Sequence, residues 1–206
     1  FVGLDDGEYV STPDPHVPVY IGGERVFGEE PPTTLNETCG AVDPESVPET
    51  DLSTASLTAQ YAPIGTEPTA DLITNSIQIT NTGTNPVPLS AVTVRYWFTA
   101  DTTEPVSYSC DYATLDCKNV KGTINTLDPP VTGADHYVEV GFAGGAKYLW
   151  PGTETGPIQN RLQQTVFGGF NQTDDYSFRS TGAELTTWDR ITVYINGRLV
   201  FGTPPE

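Results

Sequence analysis

Val92, Val94, Tyr96 and Phe98 alternate without a break with Thr93, Arg95, Trp97 and Thr99. Successive side chains of a pleated strand point to opposite faces, so a period of two predicts a strand with the first set in a core and the second on an outer face. Similar runs recur at SLTAQY (56–61), NSIQITN (75–81), VKGTINTL (120–127), HYVEVGF (136–142), GPIQNRLQ (156–163) and ITVYI with LVF near the end. Gly, Pro, Asn and Asp punctuate them, and ITNTGTNPVPLS (79–90) reads as a strand, a tight turn and an extended connection. Many short strands between turn residues is the rhythm of a β-sandwich or barrel. With 20 Gly, 18 Pro and no Met in 206 residues, the chain is poor in strong helix formers. The composition points to an all-β fold and away from helical bundles and doubly wound α/β folds.

Nine Lys and Arg stand against 27 Asp and Glu, a formal net charge of −18. A nucleic-acid binder or a module drawn to anionic lipid needs a basic surface, so both classes fall away. No apolar run approaches the ~20 residues that cross a membrane as a helix. A chain without any Met, even at position 1, is expected to be a processed or excised product from which any signal peptide has gone. Of three cysteines, Cys110 and Cys117 bracket a short loop and could bridge outside the cell; Cys39 would then be free or joined to another chain.

Residues 29–55 carry seven acids, four prolines and no base, with no period of 2 or 3.6, and read as a linker. Before them lies an internal repeat. Val19-Tyr-Ile-Gly-Gly-Glu-Arg-Val-Phe-Gly28 matches Val193-Tyr-Ile-Asn-Gly-Arg-Leu-Val-Phe-Gly202 at seven of ten positions. Each copy predicts a hairpin turning at Gly-Gly or Asn-Gly. The expected organisation is therefore an N-terminal hairpin segment (1–28) resembling the closing strands of a preceding or neighbouring module, a linker (29–55) and one complete module (56–206). Two arrangements account for the spare hairpin: a tandem array of such modules, or docking of the N-terminal strands on a neighbouring subunit's sheet, which builds a filament head to tail.

Catalysis finds little footing. His16 and His136 are the only histidines. No G-x-S-x-G elbow, H-E-x-x-H helix or phosphate-cradling glycine loop occurs. The chain is expected not to be an enzyme.

Ordered motifs along residues 56–203 carry a resemblance. They are ITNTG (79–83), VTVRYWFTAD (92–101), CDYA (110–113), NVKGT (119–123), DHYVEVGF (135–142), PGTETGPIQNRL (151–162), DDYSF (174–178) and WDRITVYINGRLVFGTPP (188–205). This stretch resembles a family 3 carbohydrate-binding module, the cellulose-binding sandwich of bacterial cellulases and cellulosome scaffoldins. The resemblance implies an all-β, nine-stranded jelly-roll sandwich, secretion and a non-catalytic role, with cellulose or a related β-glucan as ligand. In that family a flat face binds crystalline cellulose through a strip of aromatic and polar side chains, the rings stacking on the C–H faces of the sugars. By position, the strip's Asp falls on Asp111, its usual His on Tyr112, its Arg on Arg161 and its usual Trp on Phe167. The loop that brings a further aromatic is shorter here and has no counterpart for that ring. Arg95 and Trp97 would line a shallow groove on the opposite face. The resemblance also implies a structural Ca2+ joining Thr99 and Asp101 to Asn171, Asp174 and Asp175, an oxygen-rich set suited to a hard cation.

Overall fold

The computed structural model describes residues 51–165 and 169–206, and within residues 1–50 the backbone of four short strands. Phe167, Cys39 and most of the linker lie outside the described residues. The chain divides into two compact units, Phe1–Pro48 and Glu49–Glu206.

The second unit is all β apart from single 3-10 turns. One five-stranded sheet runs Val106–Ala113, Ile158–Gln164, Leu72–Asn81, Leu57–Pro63, Thr186–Thr187 in spatial order. The other runs Val120–Val131, Ala134–Phe142, Val92–Phe98, Thr192–Ile195, Arg198–Phe201. Every neighbouring pair in both sheets is antiparallel. Among the described residues the two main sheets hold ten strands, counting the two-residue Thr186–Thr187 pairing with Gln60 and Tyr61.

The predicted alternation places Val92, Val94, Tyr96 and Phe98 at 0–1% exposure in the core. They meet Leu57, Ile77, Ile79 and Leu162 from the other sheet. Each such aliphatic side chain stabilises the sandwich by about 1.5–3 kcal/mol. Tyr61 and Tyr96, one from each sheet, stack with ring centroids 6.0 Å apart. At one margin the ring of Tyr108 lies so close over Gly122 that a Cβ there has no room. Leu52 and Ala55 also pack against the core, so the ordered unit begins slightly before residue 56.

Within the first unit, Val19–Ile21 and Glu24–Phe27 pair antiparallel. The pairs are Val19 with Phe27, Tyr20 with Arg25 and Ile21 with Glu24, with a register shift between Val19 and Tyr20. Thr192–Ile195 and Arg198–Phe201 pair Val193 with Phe201, Tyr194 with Leu199 and Ile195 with Arg198, with the shift at the equivalent place. The strands of the two copies thus pair in the same register, with the shift at the same place.

Candidate functional site

The outer face of the first sheet follows from the alternation of Ile158–Gln164. Ile158, Asn160, Leu162 and Gln164 turn inward and are buried, which leaves Gln159, Arg161 and Gln163 on the outer face. Ser109 lies opposite Arg161 and Tyr112 opposite Gln159, while Asp111 is the extra residue of a β-bulge between Cys110 and Tyr112. The bulge exposes two consecutive residues, Asp111 and Tyr112, where a regular strand would bury one of them. Tyr112 is 50% exposed. On the other side Thr74 lies opposite Arg161 and Ser76 opposite Gln159, continuing the face as a polar surface.

Arg161 anchors this surface. Its Nε donates to both carboxylate oxygens of Asp111 at 3.1 and 3.0 Å, and Nη2 donates to Oδ1 at 3.0 Å. Nη1 donates to Gln163 Oε1 at 2.8 Å. The Asp111 carboxylate, by hydrogen bond and then by charge, raises the Arg161 pKa still further. The fork fixes the guanidinium plane and leaves it half exposed beside the Tyr112 ring's strand. Beneath the face, the Tyr108 hydroxyl donates to Asn160 Oδ1 at 2.9 Å and Asn160 Nδ2 donates to Asn75 Oδ1 at 3.0 Å, a buried polar chain that holds the strands in register. Cys110 and Cys117 form a disulfide, with Cα atoms 5.6 Å apart, that closes the loop holding Asp111 and Tyr112.

The strand Val106–Ala113 carries two of the expected strip residues, and its alternation of Val106, Tyr108 and Cys110 with Ser107, Ser109 and Asp111 would, if continued, put Tyr112 on the core face. The bulge breaks the period, and Ser, Cys and Asp dilute the β-branched signal. Gln159 and Gln163 were also missed as members of the face; the alternation of residues 158–164 was the signal that could have found them. Among the described residues the most exposed large hydrophobic is Trp150, at 60%, with its ring 6.3 Å from that of Tyr148. It stands at the first position of a turn closed by Thr153 N donating to Trp150 O at 3.0 Å.

On the second sheet, the Arg95 guanidinium lies 4.5 Å from the Tyr137 ring centroid and 4.2 Å from that of Tyr194, and Nε donates to Glu139 at 2.8 Å. Trp97 is not the open platform expected from its outward position. It is 4% exposed, its indole N–H donates to Thr192 Oγ1 at 3.0 Å, and its ring lies 4.8 Å from Tyr137. Ser177 bonds the Trp97 backbone, its N–H donating to Trp97 O at 3.1 Å and its Oγ accepting from Trp97 N at 2.8 Å. The Trp97 ring packs against Tyr137 and lies beside the Arg95 guanidinium.

Thr99, Asp101, Asn171, Asp174 and Asp175 converge at one end of the sandwich. Asp175 Oδ1 accepts from Thr99 N at 2.8 Å and Thr99 Oγ1 at 3.0 Å, and Thr99 Oγ1 also donates to Asp174 Oδ1 at 3.2 Å. Asp101 Oδ2 accepts from Asn171 N at 2.7 Å. Burial, opposed by the Thr99 hydrogen bonds and reinforced by Asp174 and Asp101, pushes the Asp175 carboxyl up to about 7. Burial also raises Asp101, with Asp174 and Asp135 adding to the shift. Asp175 Oδ2 is buried with no hydrogen-bond partner. No group of three or more His, Cys, Asp or Glu side chains among the described residues is placed to hold a metal by itself. A cation here would draw on hydroxyl, amide and carbonyl oxygens as well as carboxylates, and the orphaned Asp175 oxygen fits that role.

The family model for cellulose binding domains matches residues 58–202. The chain belongs to the family 3 carbohydrate-binding modules. This is a family of non-catalytic binding modules. A xyloglucanase of Paenibacillus sp is 40% identical over 140 residues, which are 68% of this chain and 14% of that enzyme. The module is thus similar to a small part of a larger protein. A biomass sensing module of an Rsgi-like protein from Clostridium thermocellum is 35% identical with a TM-score of 0.70, over 73% of this chain and 99% of that one. The CBM3b of the scaffoldin ScaA from Acetivibrio cellulolyticus is 33% identical with a TM-score of 0.70, over 73% of this chain and 97% of that one. Among the described residues no helix is long and apolar enough to cross a membrane.

Proposed function

We propose that the module binds cellulose or a related β-glucan outside the cell, on the outer face of the sheet containing Ile158–Gln164. The observation that carries this reading is the grouping of Tyr112, Gln159 and the Asp111–Arg161 fork on one exposed face. A Tyr ring stacks on the apolar face of a pyranose while the fork and glutamine amides hydrogen-bond its hydroxyls. Phe167 would add a second ring further along the chain. Arg95, held between Tyr137 and Tyr194, is a secondary polar contact on the opposite face. Depletion of the chain from solution by microcrystalline cellulose, with retardation in gels containing soluble β-glucans as the companion measurement, tests the reading. It fails if wild-type protein stays in solution and no glucan retards it.

The same reading gives the Thr99–Asp175 cluster a structural Ca2+, held by Asp174, Asp175 and Thr99 with Asp101 and Asn171 adjoining. The ion would neutralise carboxylates packed together and pin the end of the Val92–Phe98 strand to the turn at residues 172–175. Its support is the buried, unpartnered Asp175 oxygen.

A second reading, assembly into an extracellular fibre or tandem array through residues 1–28, is favoured by the identical register of the two hairpins. Electron micrographs and size-exclusion of the pure chain test it, since a strictly monomeric protein at all concentrations contradicts head-to-tail polymerisation. Binding and assembly are compatible in one chain. Any joining of Cys39 to another chain belongs with this second reading.

A further inference from the structure

The two copies of the hairpin differ in a way that burial explains. In the complete module Val193, Tyr194 and Ile195 are buried, and Val200 and Phe201 pack against the core. All five residues recur in the first copy as Val19, Tyr20, Ile21, Val26 and Phe27. The three positions that differ, Asn196, Arg198 and Leu199, are all exposed. Glycine is also kept where the backbone requires it. Gly197 and Gly202 have φ of 78° and 82°, and a Cβ on Gly202 would collide with the Ile191 carbonyl. Their counterparts are Gly23 and Gly28, and Asn196, also at positive φ, is replaced by Gly22. Divergence has been free only where the slot beside Val92–Phe98 makes no demand. A hairpin that fills such a slot keeps this pattern of side chains, register and bulge.

We infer that residues 19–28 are a strand donor for the closing-hairpin slot of a second copy of this module, pairing along its Val92–Phe98 strand in place of residues 193–202. The inference rests on the assembly reading above and names its acceptor. The acceptor is another copy because the slot of the chain's own sheet is filled by Thr192–Ile195, paired with Val92 to Arg95. Donation then requires a copy whose own hairpin is out of place, and the interchange preserves the same buried side chains.

Three full-length proteins test this. Val193→Asp/Ile195→Asp places charges in the buried part of the resident hairpin and vacates the slot. The expected result is a protein that keeps near-UV circular dichroism and a cooperative unfolding transition, and elutes at twice the monomer mass or more. Adding Val19→Asp/Ile21→Asp to that variant removes the donor and should abolish both the fold and the assembly. Val19→Asp/Ile21→Asp alone should remain a folded monomer. The inference is overturned if the first variant is as unfolded as the quadruple variant at every concentration, if it folds as a monomer, or if the quadruple variant also folds. Polymerisation of wild-type protein alongside any of those results would leave assembly standing through a different surface.

Discussion

Arg161 and Asp111 are 50 residues apart in sequence and meet across a β-bulge through three nitrogen–oxygen contacts of 3.0–3.1 Å. The pair is partly exposed, so its contribution to folding is small, on the order of 0–1 kcal/mol. In the proposed binding role the fork holds the guanidinium as a rigid planar donor. Arg161→Ala should weaken binding to cellulose about tenfold, roughly 1.4 kcal/mol, while the melting temperature moves little. Arg161→Lys keeps the charge but cannot form the fork, and should recover only part of the affinity. Adsorption isotherms paired with thermal unfolding check both.

Among the described residues Tyr112 presents an exposed ring on this face. Tyr112→Ala should reduce affinity by roughly 0.5–1.5 kcal/mol, about two- to tenfold, whereas Tyr112→Phe should stay close to wild type because stacking needs only the ring. Equal losses for Ala and Phe in the same isotherms would assign the contact to the hydroxyl instead.

The Cys110–Cys117 bridge closes a loop with a sequence separation of 7 and contains both Asp111 and Tyr112. A bridge over so short a loop contributes about 2–3 kcal/mol in the chain-entropy picture. Reduction, or Cys110→Ser/Cys117→Ser, should lower stability by about that amount. It should also weaken cellulose binding, because the bulge is freed. Chemical denaturation with and without reductant, followed by a binding assay, measures both effects.

Calcium removal should lower the melting temperature, by an amount that grows with the calcium concentration of the reference sample. Asp175→Asn keeps the shape and should abolish the calcium dependence. An unchanged midpoint on adding chelator to protein purified with calcium would remove the ion from the proposal.

Gly122 has no room for a Cβ beneath the ring of Tyr108. Gly122→Val should therefore force the two sheet margins apart and cost about 1–3 kcal/mol, typical of overpacking. The displaced Tyr108 would also lose its hydrogen bond to Asn160. Urea unfolding checks the stability; a midpoint within experimental error of wild type would show that the margin yields freely.

Much of the architecture was legible in order along the chain. The alternation of residues 92–98 named its core face, and the repeated ten-residue motif announced two like hairpins, because both features are local. Period two depends only on the pleat, and an Asn-Gly or Gly-Gly turn needs only its own backbone. The resemblance also singled out Asp111, Tyr112 and Arg161, which lie together on one outer face of the sheet. Phe167 and Cys39 lie outside the described residues.

What local order could not show depends on remote pairing. Sheet order brings Val106–Ala113 beside Ile158–Gln164, and only that pairing turns Asp111 and Arg161 into a fork and makes Gln159 a neighbour of Tyr112. The bulge that exposes both Asp111 and Tyr112 exists only relative to the partner strand, so its own strand hides it. Trp97 was outward by period and is buried in the tertiary structure, where its indole N–H meets Thr192 Oγ1 and its ring packs against Tyr137. Sequence alone determined a β-sandwich with a duplicated hairpin. Tertiary structure decided which side chains share a face, because neighbours across a sheet are set by strand order and register rather than by distance along the chain.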